Sequence, residues 1–124
     1  MKDNENRYFV GKVQDFSKRK GWFFGAFMDE PLLQSDLVEV GWQHLSNVKP
    51  SPDQKHFHKE SVEINIMLTG WMEITINGNQ HRLGPGDIYI IWPYTVVDEL
   101  TTGEDTELIV IRAPSLPKDK FNVS

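Results

Sequence analysis

The chain has 124 residues and a formal net charge of −5, with 39% hydrophobic and 25% charged residues. This length suits one domain with its own core, and the acidic balance argues against nucleic acid or an anionic membrane as a partner. The absence of cysteine excludes disulfides, thiolate metal sites and a thiol nucleophile. The sequence shows neither a secretory leader nor a run of about 20 apolar residues, so we expect a cytoplasmic protein.

The first half of the chain contains short apolar segments interrupted by glycine and proline. After a loose polar start at 1–6, residues 7–13 (RYFVGKV) are predicted to form a short strand. The segment 18–28 (KRKGWFFGAFM) has aromatic residues on both faces of an extended chain, which indicates a strand covered on both sides. Its basic residues 18–20 are interpreted as a solvated start of that strand rather than an anion site. A strand is also predicted at 36–45, followed by a loop at 47–55.

From residue 56 onward the predicted strands follow one another closely. The runs 62–70 and 71–83 flank Gly70, and Asn77-Gly78 is the favoured two-residue hairpin turn. Further strands are predicted at 87–92, 95–100 and 106–112. No segment has a long helical period, so the pattern predicts an all-β sandwich or barrel. One domain covers 1–124, with its core at about 37–112 and with 1–6 and 113–124 as flexible or arm-like termini.

The stretch HFHKESVEINIMLTG, residues 56–70, carries two histidines and a carboxylate. Residues two apart in a strand share a face, so His56 and His58 project together, and Glu63 begins the next strand. Imidazole suits Zn, Cu, Fe and Ni, and a carboxylate extends the choice to Mn. The three residues therefore indicate a divalent metal site, although a plain polar patch at a strand end would use the same residues.

Other polar and aromatic residues are candidates for contact with a ligand. His44 lies on the predicted strand 36–45 and is a candidate acid–base group, because its unperturbed pKa is close to neutral. Packing is the alternative for it and for each aromatic candidate. The residues predicted to line a substrate cavity or its rim are Trp42, Asn65, Met67, Trp92 and Tyr94.

The stretch 56–70 resembles the first motif of the cupin superfamily, which runs glycine, five residues, His-x-His, three or four residues, glutamate, six residues, glycine. Every position from His56 to Gly70 matches, whereas Pro50 replaces the leading glycine. The second motif of the family matches loosely, because Pro93 lies one residue too far from Gly86. Asp98 occupies the slot of the expected histidine. The resemblance covers about 50–102.

The resemblance implies a double-stranded β-helix (jelly-roll) barrel that holds a metal at His56, His58 and Glu63, with Asp98 as a candidate fourth ligand. It also implies a metal-dependent isomerase, lyase or dioxygenase that acts on a small molecule such as a sugar or organic acid. The ligands do not distinguish Fe, Mn, Ni, Zn and Cu. Two alternatives stay open, a non-catalytic binding or sensor cupin and a metal-free cupin that performs acid–base chemistry as sugar-nucleotide epimerases do.

The strands at 62–69 and 106–112 carry apolar residues on both faces. One face can fill a barrel, and the other requires a second layer or a partner subunit. We therefore expect a homodimer, an expectation that the cupin resemblance supports.

Overall fold

The computed structural model describes residues 7–123, so the loose start predicted at 1–6 lies outside the described residues. These residues form ten strands and three short 3₁₀ helices. The 3₁₀ helices are Val13–Arg19, Pro31–Leu33 and Pro52–Gln54. The strands are β1 (Trp22–Phe24), β2 (Glu39–Leu45), β3 (His56–Phe57), β4 (Val62–Thr69), β5 (Met72–Ile76), β6 (Asn79–Leu83), β7 (Ile88–Ile91), β8 (Val97–Thr102), β9 (Thr106–Ala113) and β10 (Phe121–Asn122). No helix within 7–123 is long and apolar enough to cross a membrane.

The strands pair into two antiparallel five-stranded sheets. The first sheet has the order β1-β2-β9-β4-β7 and the second the order β10-β3-β8-β5-β6. Apart from the pairs β1-β2 and β5-β6, neighbouring strands are not consecutive in the chain, as in a jelly roll. This topology confirms the predicted all-β fold and its double-stranded β-helix.

The core lies between the two sheets and uses every second residue of the central strands. On β4 the burial alternates along the strand, with Glu63, Asn65 and Met67 buried. The residues that form the core cluster are Met67, Met72, Ile74, Ile91, Val97, Leu108 and Val110.

Two glycines with left-handed backbones have different roles in the fold. Gly70, which closes the motif, has φ 75°, and a Cβ on it would lie 2.5 Å from Oγ1 of Thr106. Gly78 has φ 81°, but a Cβ there would meet nothing within 4 Å. Gly70 therefore allows β4 and β9 to approach each other, whereas Gly78 serves only the dihedral angles of the predicted Asn77-Gly78 hairpin turn.

Two predictions for the N-terminal part are wrong. Residues 7–13 do not form a strand, and the strand predicted within 18–28 is limited to Trp22–Phe24. Lys20 and Gly21 have φ values of 56° and 86°, which reverse the chain between the first 3₁₀ helix and β1. A Cβ on Gly21 would lie 1.9 Å from the carbonyl oxygen of Trp42, so this reversal packs directly on β2. The basic residues 18–20 consequently end a 3₁₀ helix and do not begin a strand.

The C-terminal segment predicted as an arm, 113–124, packs against the barrel along its described part. Its strand β10 pairs with β3, where Phe121 lies opposite Phe57. Ser115 and Asp119 are buried. The segment 114–123, called the tail below, thereby adds a strand to the second sheet next to the predicted histidine pair.

The outward side of the first sheet carries an apolar patch. On β4, Ile64 and Ile66 alternate with the inward-facing residues and lie opposite isoleucines of both neighbouring strands. This surface, called the isoleucine face below, consists of Ile64, Ile66, Ile88, Ile90, Ile109 and Ile111. Its β7 residues Ile88 and Ile90 are 60% and 47% exposed.

Candidate functional site

A cluster of polar side chains lies on inward positions near one end of the barrel. Glu63 and Asn65 of β4 are buried, as is His58 in the segment that precedes β4. The remaining members come from three other strands of the first sheet. This group, called the polar cluster below, consists of Glu39, His58, Glu63, Asn65, Tyr89 and Arg112.

His58 is fixed at one ring nitrogen and free at the other. Its Nδ1 is hydrogen-bonded to the backbone carbonyl of Asp119. Because a carbonyl oxygen only accepts, Nδ1 must carry the hydrogen, and in the neutral ring Nε2 then presents its lone pair. Within residues 7–123 this Nε2 is buried without a hydrogen-bond partner, 3.8 Å from Oε1 of Glu63. The tail therefore selects the tautomer in which Nε2 can accept a proton or bind a metal.

His56 shows the same pattern on β3. Its Nδ1 lies 2.5 Å from the carbonyl oxygen of Gln54, and its ring centroid lies 5.4 Å from that of His58. Burial lowers the pKa of His56, and the positive charge of Lys120 lowers it further, while the Gln54 carbonyl opposes both. The ring is therefore neutral at neutral pH.

Glu63 is an ionised carboxylate held by two donors. Nε of Arg112 donates to Oε1 at 2.7 Å, and Nδ2 of Asn65 donates to Oε2 at 3.1 Å. Burial alone would raise the pKa of Glu63, but the charge of Arg112 and these hydrogen bonds hold it below its usual value. Arg112 also reaches Glu39, with Nη1 3.7 Å from Oε2, while burial raises the pKa of Glu39.

The tail is attached to the site through the carboxylate of Asp119. Its Oδ1 accepts from the backbone N–H of Lys59 at 3.0 Å, and its Oδ2 accepts from Glu60 and Ser61, each at 2.9 Å. Burial alone would raise the pKa of Asp119, but these three hydrogen bonds hold it below its usual value. One residue thus orients His58 through its carbonyl and fixes the following turn through its side chain.

Asp98, the predicted fourth ligand, lies in a different part of the barrel. Val97 faces the core, so Asp98 points to the opposite side of β8. It lines a surface cleft with Thr75 and Gln80, and its Oδ1 accepts from the N–H of Glu99. The structure does not bring Asp98 together with the two histidines.

His44 and Trp42 lie on the outward side of β2. Nε2 of His44 is 3.2 Å from Oδ1 of Asp105, and Nε1 of Trp42 donates to Oε1 of Glu107 at 3.0 Å. Gly41, between these positions, lies on the opposite side of β2 and pairs with the core residue Val110 of β9. The predicted acid–base group and its neighbouring tryptophan are therefore separated from the polar cluster by the sheet itself.

The remaining predicted contact residues divide between the interior and the rim. Asn65 belongs to the polar cluster, whereas Met67 lies in the apolar core. Trp92 and Tyr94 are 65% and 67% exposed. Tyr94 stacks on Phe57 with ring centroids 5.8 Å apart, and its N–H donates to the carbonyl of His58 at 2.7 Å.

The predicted metal set fits in donor type but not in arrangement. The described residues contain no group of three His, Cys, Asp or Glu side chains placed to hold an ion. The Nε2 atom of His58 is available, but both oxygens of Glu63 already accept hydrogen bonds, one of them from a cation. Metal binding by His56, His58, Glu63 and Asp98 therefore stays a prediction.

Several members of the site were not singled out from the sequence. Strand alternation contained a signal for Arg112, because it shares a face with the buried Leu108 and Val110. Asp119 carried no such signal, because its role depends on a contact with His58, 61 residues away.

No protein-family model and no curated protein matches the chain. Among solved structures, KdgF from Halomonas sp. has a TM-score of 0.59 at 18% identity, covering 67% of this chain and 74% of that chain. A Pac13 variant from Streptomyces, solved with uridine, has a TM-score of 0.62 at 16% identity, covering 73% and 71%.

A cupin protein from Bacteroides fragilis has a TM-score of 0.54 at 26% identity, covering 65% of this chain and 69% of that chain. These likenesses agree with the strand order of the two sheets and with the first-motif spacing from His56 to Gly70. The chain therefore has the cupin fold.

Proposed function

We propose that the protein binds a small molecule at the mouth of the cupin barrel and that His58 exchanges a proton with it. The observation that supports this most is the His58 ring, whose Nδ1 bonds to the Asp119 carbonyl while Nε2 is buried without a partner in residues 7–123. An unpartnered buried polar atom costs about 1–3 kcal/mol. A catalytic role is one physical explanation for an unsatisfied buried group of this kind.

The polar cluster suits His58 to act as a general base. A proton taken from the ligand would go to Nε2, and the resulting imidazolium would lie 3.8 Å from the ionised Glu63, which stabilises the positive charge. Arg112 and Asn65 hold Glu63 in position for this role. Isomerisation through an enediol and elimination through a carbanion both begin with removal of a proton, so these two predicted reaction types fit best. Pac13, a nucleoside dehydratase, has a similar fold.

A divalent metal bound by His56, His58 and Glu63 is the second candidate. Both histidines have Nδ1 at a backbone carbonyl, which leaves Nε2 for a metal, and such carbonyl partners are typical of metal-ligating histidines. The metal would then share the Glu63 carboxylate with Arg112, which contacts Oε1 at 2.7 Å. Ligand binding without turnover, in a sensor or storage role, would use the same barrel mouth.

The test combines elemental analysis with proton exchange. We expect protein purified without added metal to lack a stoichiometric metal and to exchange a carbon-bound hydrogen of a sugar or organic acid with D₂O, followed by NMR. His58→Gln should reduce this exchange at least about a hundredfold, because a positioned base contributes about 10²–10⁴-fold. His81→Gln, which alters an exposed histidine on β6, is the matched control.

Unchanged exchange in His58→Gln would refute the proposed role of His58. A stoichiometric metal that is lost in both His56→Gln and His58→Gln would favour the second candidate. Long-range proton–nitrogen NMR correlations provide a reading independent of turnover, because they report whether Nδ1 of His58 carries the hydrogen.

We also propose that the protein is a homodimer formed through the isoleucine face. Ile88 and Ile90 on this face are 60% and 47% exposed, and neighbouring β4 and β9 extend the apolar surface. A self-complementary sheet face of this kind suits a two-fold interface. The cytoplasmic location and the lack of nucleic-acid and membrane partners stay predictions from the sequence.

A further inference from the structure

A cleft of about 450 Å³ lies between the first 3₁₀ helix and the polar cluster. Lys18, Arg19 and Lys20 line it on the exposed side, and Arg112 with the buried Glu39 lines it on the side of the barrel interior. Arg112 belongs to both the cleft and the polar cluster, so the cleft opens next to the proposed site. Its volume is in the range of small-molecule sites.

The charge of this cleft is opposite to that of the whole protein. Four cationic side chains and one carboxylate line it, a formal balance of +3, whereas the chain carries −5. Within residues 7–123, Lys18, Arg19 and Lys20 form no ion pair with a carboxylate. Three cations of the rim are thus available to a ligand from solution.

Backbone hydrogen bonds order the turn that carries the three cations. The N–H of Lys20 donates to the carbonyl of Ser17 at 3.2 Å, and the N–H of Gly21 donates to the carbonyl of Phe16 at 3.0 Å. The carbonyl of Gly21 then accepts from the N–H of Trp42 at 3.0 Å, which ties the turn to β2. Preorganised charges lose less entropy on binding than charges on a free arm.

The cleft also offers an apolar wall. The rings of Trp22 and Phe27 lie 5.9 Å apart at an angle of 75°, and both line the cleft. The guanidinium of Arg19 lies 5.7 Å from the Phe27 centroid, and that of Arg112 lies 5.0 Å from the Trp22 centroid. Cations next to aromatic faces suit a ligand that combines a negative group with a ring or carbon skeleton.

We propose that this cleft is an anion-binding subsite, so that the small molecule handled by the protein carries a carboxylate or phosphate group bound by Lys18, Arg19 and Lys20. The inference builds on the proposed function, because it places the rest of the ligand towards Arg112 and His58. The negative group anchors the molecule at the rim, and its remainder enters the barrel mouth.

Matched ligands test the charge requirement by calorimetry. The probes are glucose, glucuronate and glucose 6-phosphate, together with uridine, uridine 5′-monophosphate and inorganic phosphate. We expect the charged members to bind more tightly than their neutral counterparts, and the ratio between carboxylate and phosphate to identify the group. Added NaCl should weaken only the charged members, because salt screens exposed charges.

Variants locate the binding in the cleft. Lys18→Gln, Arg19→Gln and Lys20→Gln should each weaken anion binding about three- to fivefold, as expected for exposed charge pairs. Lys49→Gln removes the same charge from an exposed loop and should leave the affinity unchanged. Anion-induced NMR shifts should centre on the amides of 18–21 and the indole of Trp22.

The proposal falls if none of these anions binds, if neutral and charged partners bind equally, or if the three cleft variants match Lys49→Gln. His58→Gln separates this result from the fate of the proposed function. If His58→Gln still binds the anion in the cleft and its proton exchange is unchanged, the anion-binding subsite is supported and the proposed role of His58 is rejected.

Discussion

Arg112 connects carboxylates of two neighbouring strands. From β9 it donates to Glu63 of β4 at 2.7 Å and lies 3.7 Å from Glu39 of β2. Its guanidinium also lies 5.0 Å from the ring centroid of Trp22. Both glutamates are buried, at 7% and 3% exposure, so a charge on either one has little compensation from water. Removal of one partner of a buried ion pair is strongly destabilising, because it leaves the other charge buried without compensation.

We predict that Arg112→Gln lowers the free energy of unfolding by about 3 kcal/mol, because it leaves Glu63 buried without its cation. Urea denaturation measures this change. Arg82→Gln is the matched control, since Arg82 also pairs with a glutamate of the adjacent strand, Glu73, but is exposed. The control should lose less than about 1 kcal/mol. Equal losses in the two variants would contradict the structural role of Arg112.

The pH dependence of the stability of Arg112→Gln provides a second test of the pair between Arg112 and Glu63. In the wild type the folded pKa of Glu63 lies below its unfolded value of about 4.3. The contribution of Glu63 to the free energy of unfolding is therefore complete above that value and is lost as the pH falls through the folded pKa. Without Arg112, burial raises the pKa, and acid then favours the folded variant. The stability difference between the two proteins should narrow as the pH falls below about 5.

At the scale of elements, the tail holds the candidate site in place. Its strand β10 pairs with β3, and Phe121 stacks on Phe57 with ring centroids 5.7 Å apart. Lys59 lies 4.1 Å from the Phe121 ring centroid. Next to these aromatic contacts, the backbone carbonyl of Asp119 bonds to His58, and its carboxylate bonds to the turn that follows His58. The tail and the segment between β3 and β4 consequently form one packed unit.

We predict that Asp119→Asn loosens this unit and costs about 1–3 kcal/mol, because an amide has only one acceptor oxygen for three backbone N–H groups. Hydrogen exchange should become faster at the amides of 59–61. The correlations of the His58 ring should also show a mixture of tautomers. Asp29→Asn, at an exposed loop position, provides the control. Unchanged protection at 59–61 would show that the carboxylate is dispensable.

Several elements were predictable because local physics decides them. The alternation in β4 separates Glu63 and Asn65 from Ile64 and Ile66, and the Asn77-Gly78 pair determines its hairpin turn. The structure of residues 7–28 was not predictable in this way, because the reversal at Lys20 and Gly21 depends on packing against Trp42. The hydrophobic periodicity of a sequence does not reveal contacts between residues that are far apart in the chain.

The candidate site was predictable only in part for a related reason. Spacing identified His58 and Glu63, but alternation alone does not say which side of a strand faces inward. On β2 the residues His44 and Trp42 face outward, and Glu39 on the other side joins the polar cluster. On β8 the inward position belongs to Val97, so Asp98 faces away. Only the pairing of distant strands resolves this choice.

At the scale of the whole molecule, the isoleucine face is the surface through which we propose that two copies assemble. Its β7 isoleucines are exposed and adjoin half-buried isoleucines of β4 and β9, and a continuous apolar surface of this kind suits contact with a partner. Formation of a dimer through this face would leave the basic cleft accessible, because the rim cations lie at the end of the first 3₁₀ helix, which packs on β1 at the opposite edge of the sheet from β7.

We predict that Ile90→Lys converts a dimer into a monomer, because a buried unpaired ammonium is incompatible with an apolar interface. Size-exclusion chromatography with light scattering should give twice the 14.4 kDa chain mass for the wild type and the single mass for the variant. Gln80→Lys introduces the same charge on exposed β6 of the second sheet and should remain dimeric. A monomeric wild type would refute the proposed interface.

The distance along the chain between His58 and Asp119 has a consequence for synthesis and turnover. Their contact closes a loop of 61 residues, so the ring has no orienting carbonyl until the ribosome has added the tail. The exposed residues 116–118 precede Asp119 and are accessible to proteases. A single cut there would remove the partner of His58 while β4 and β9 keep their pairing. Loss of a few residues would thus disable the site before it unfolds the barrel.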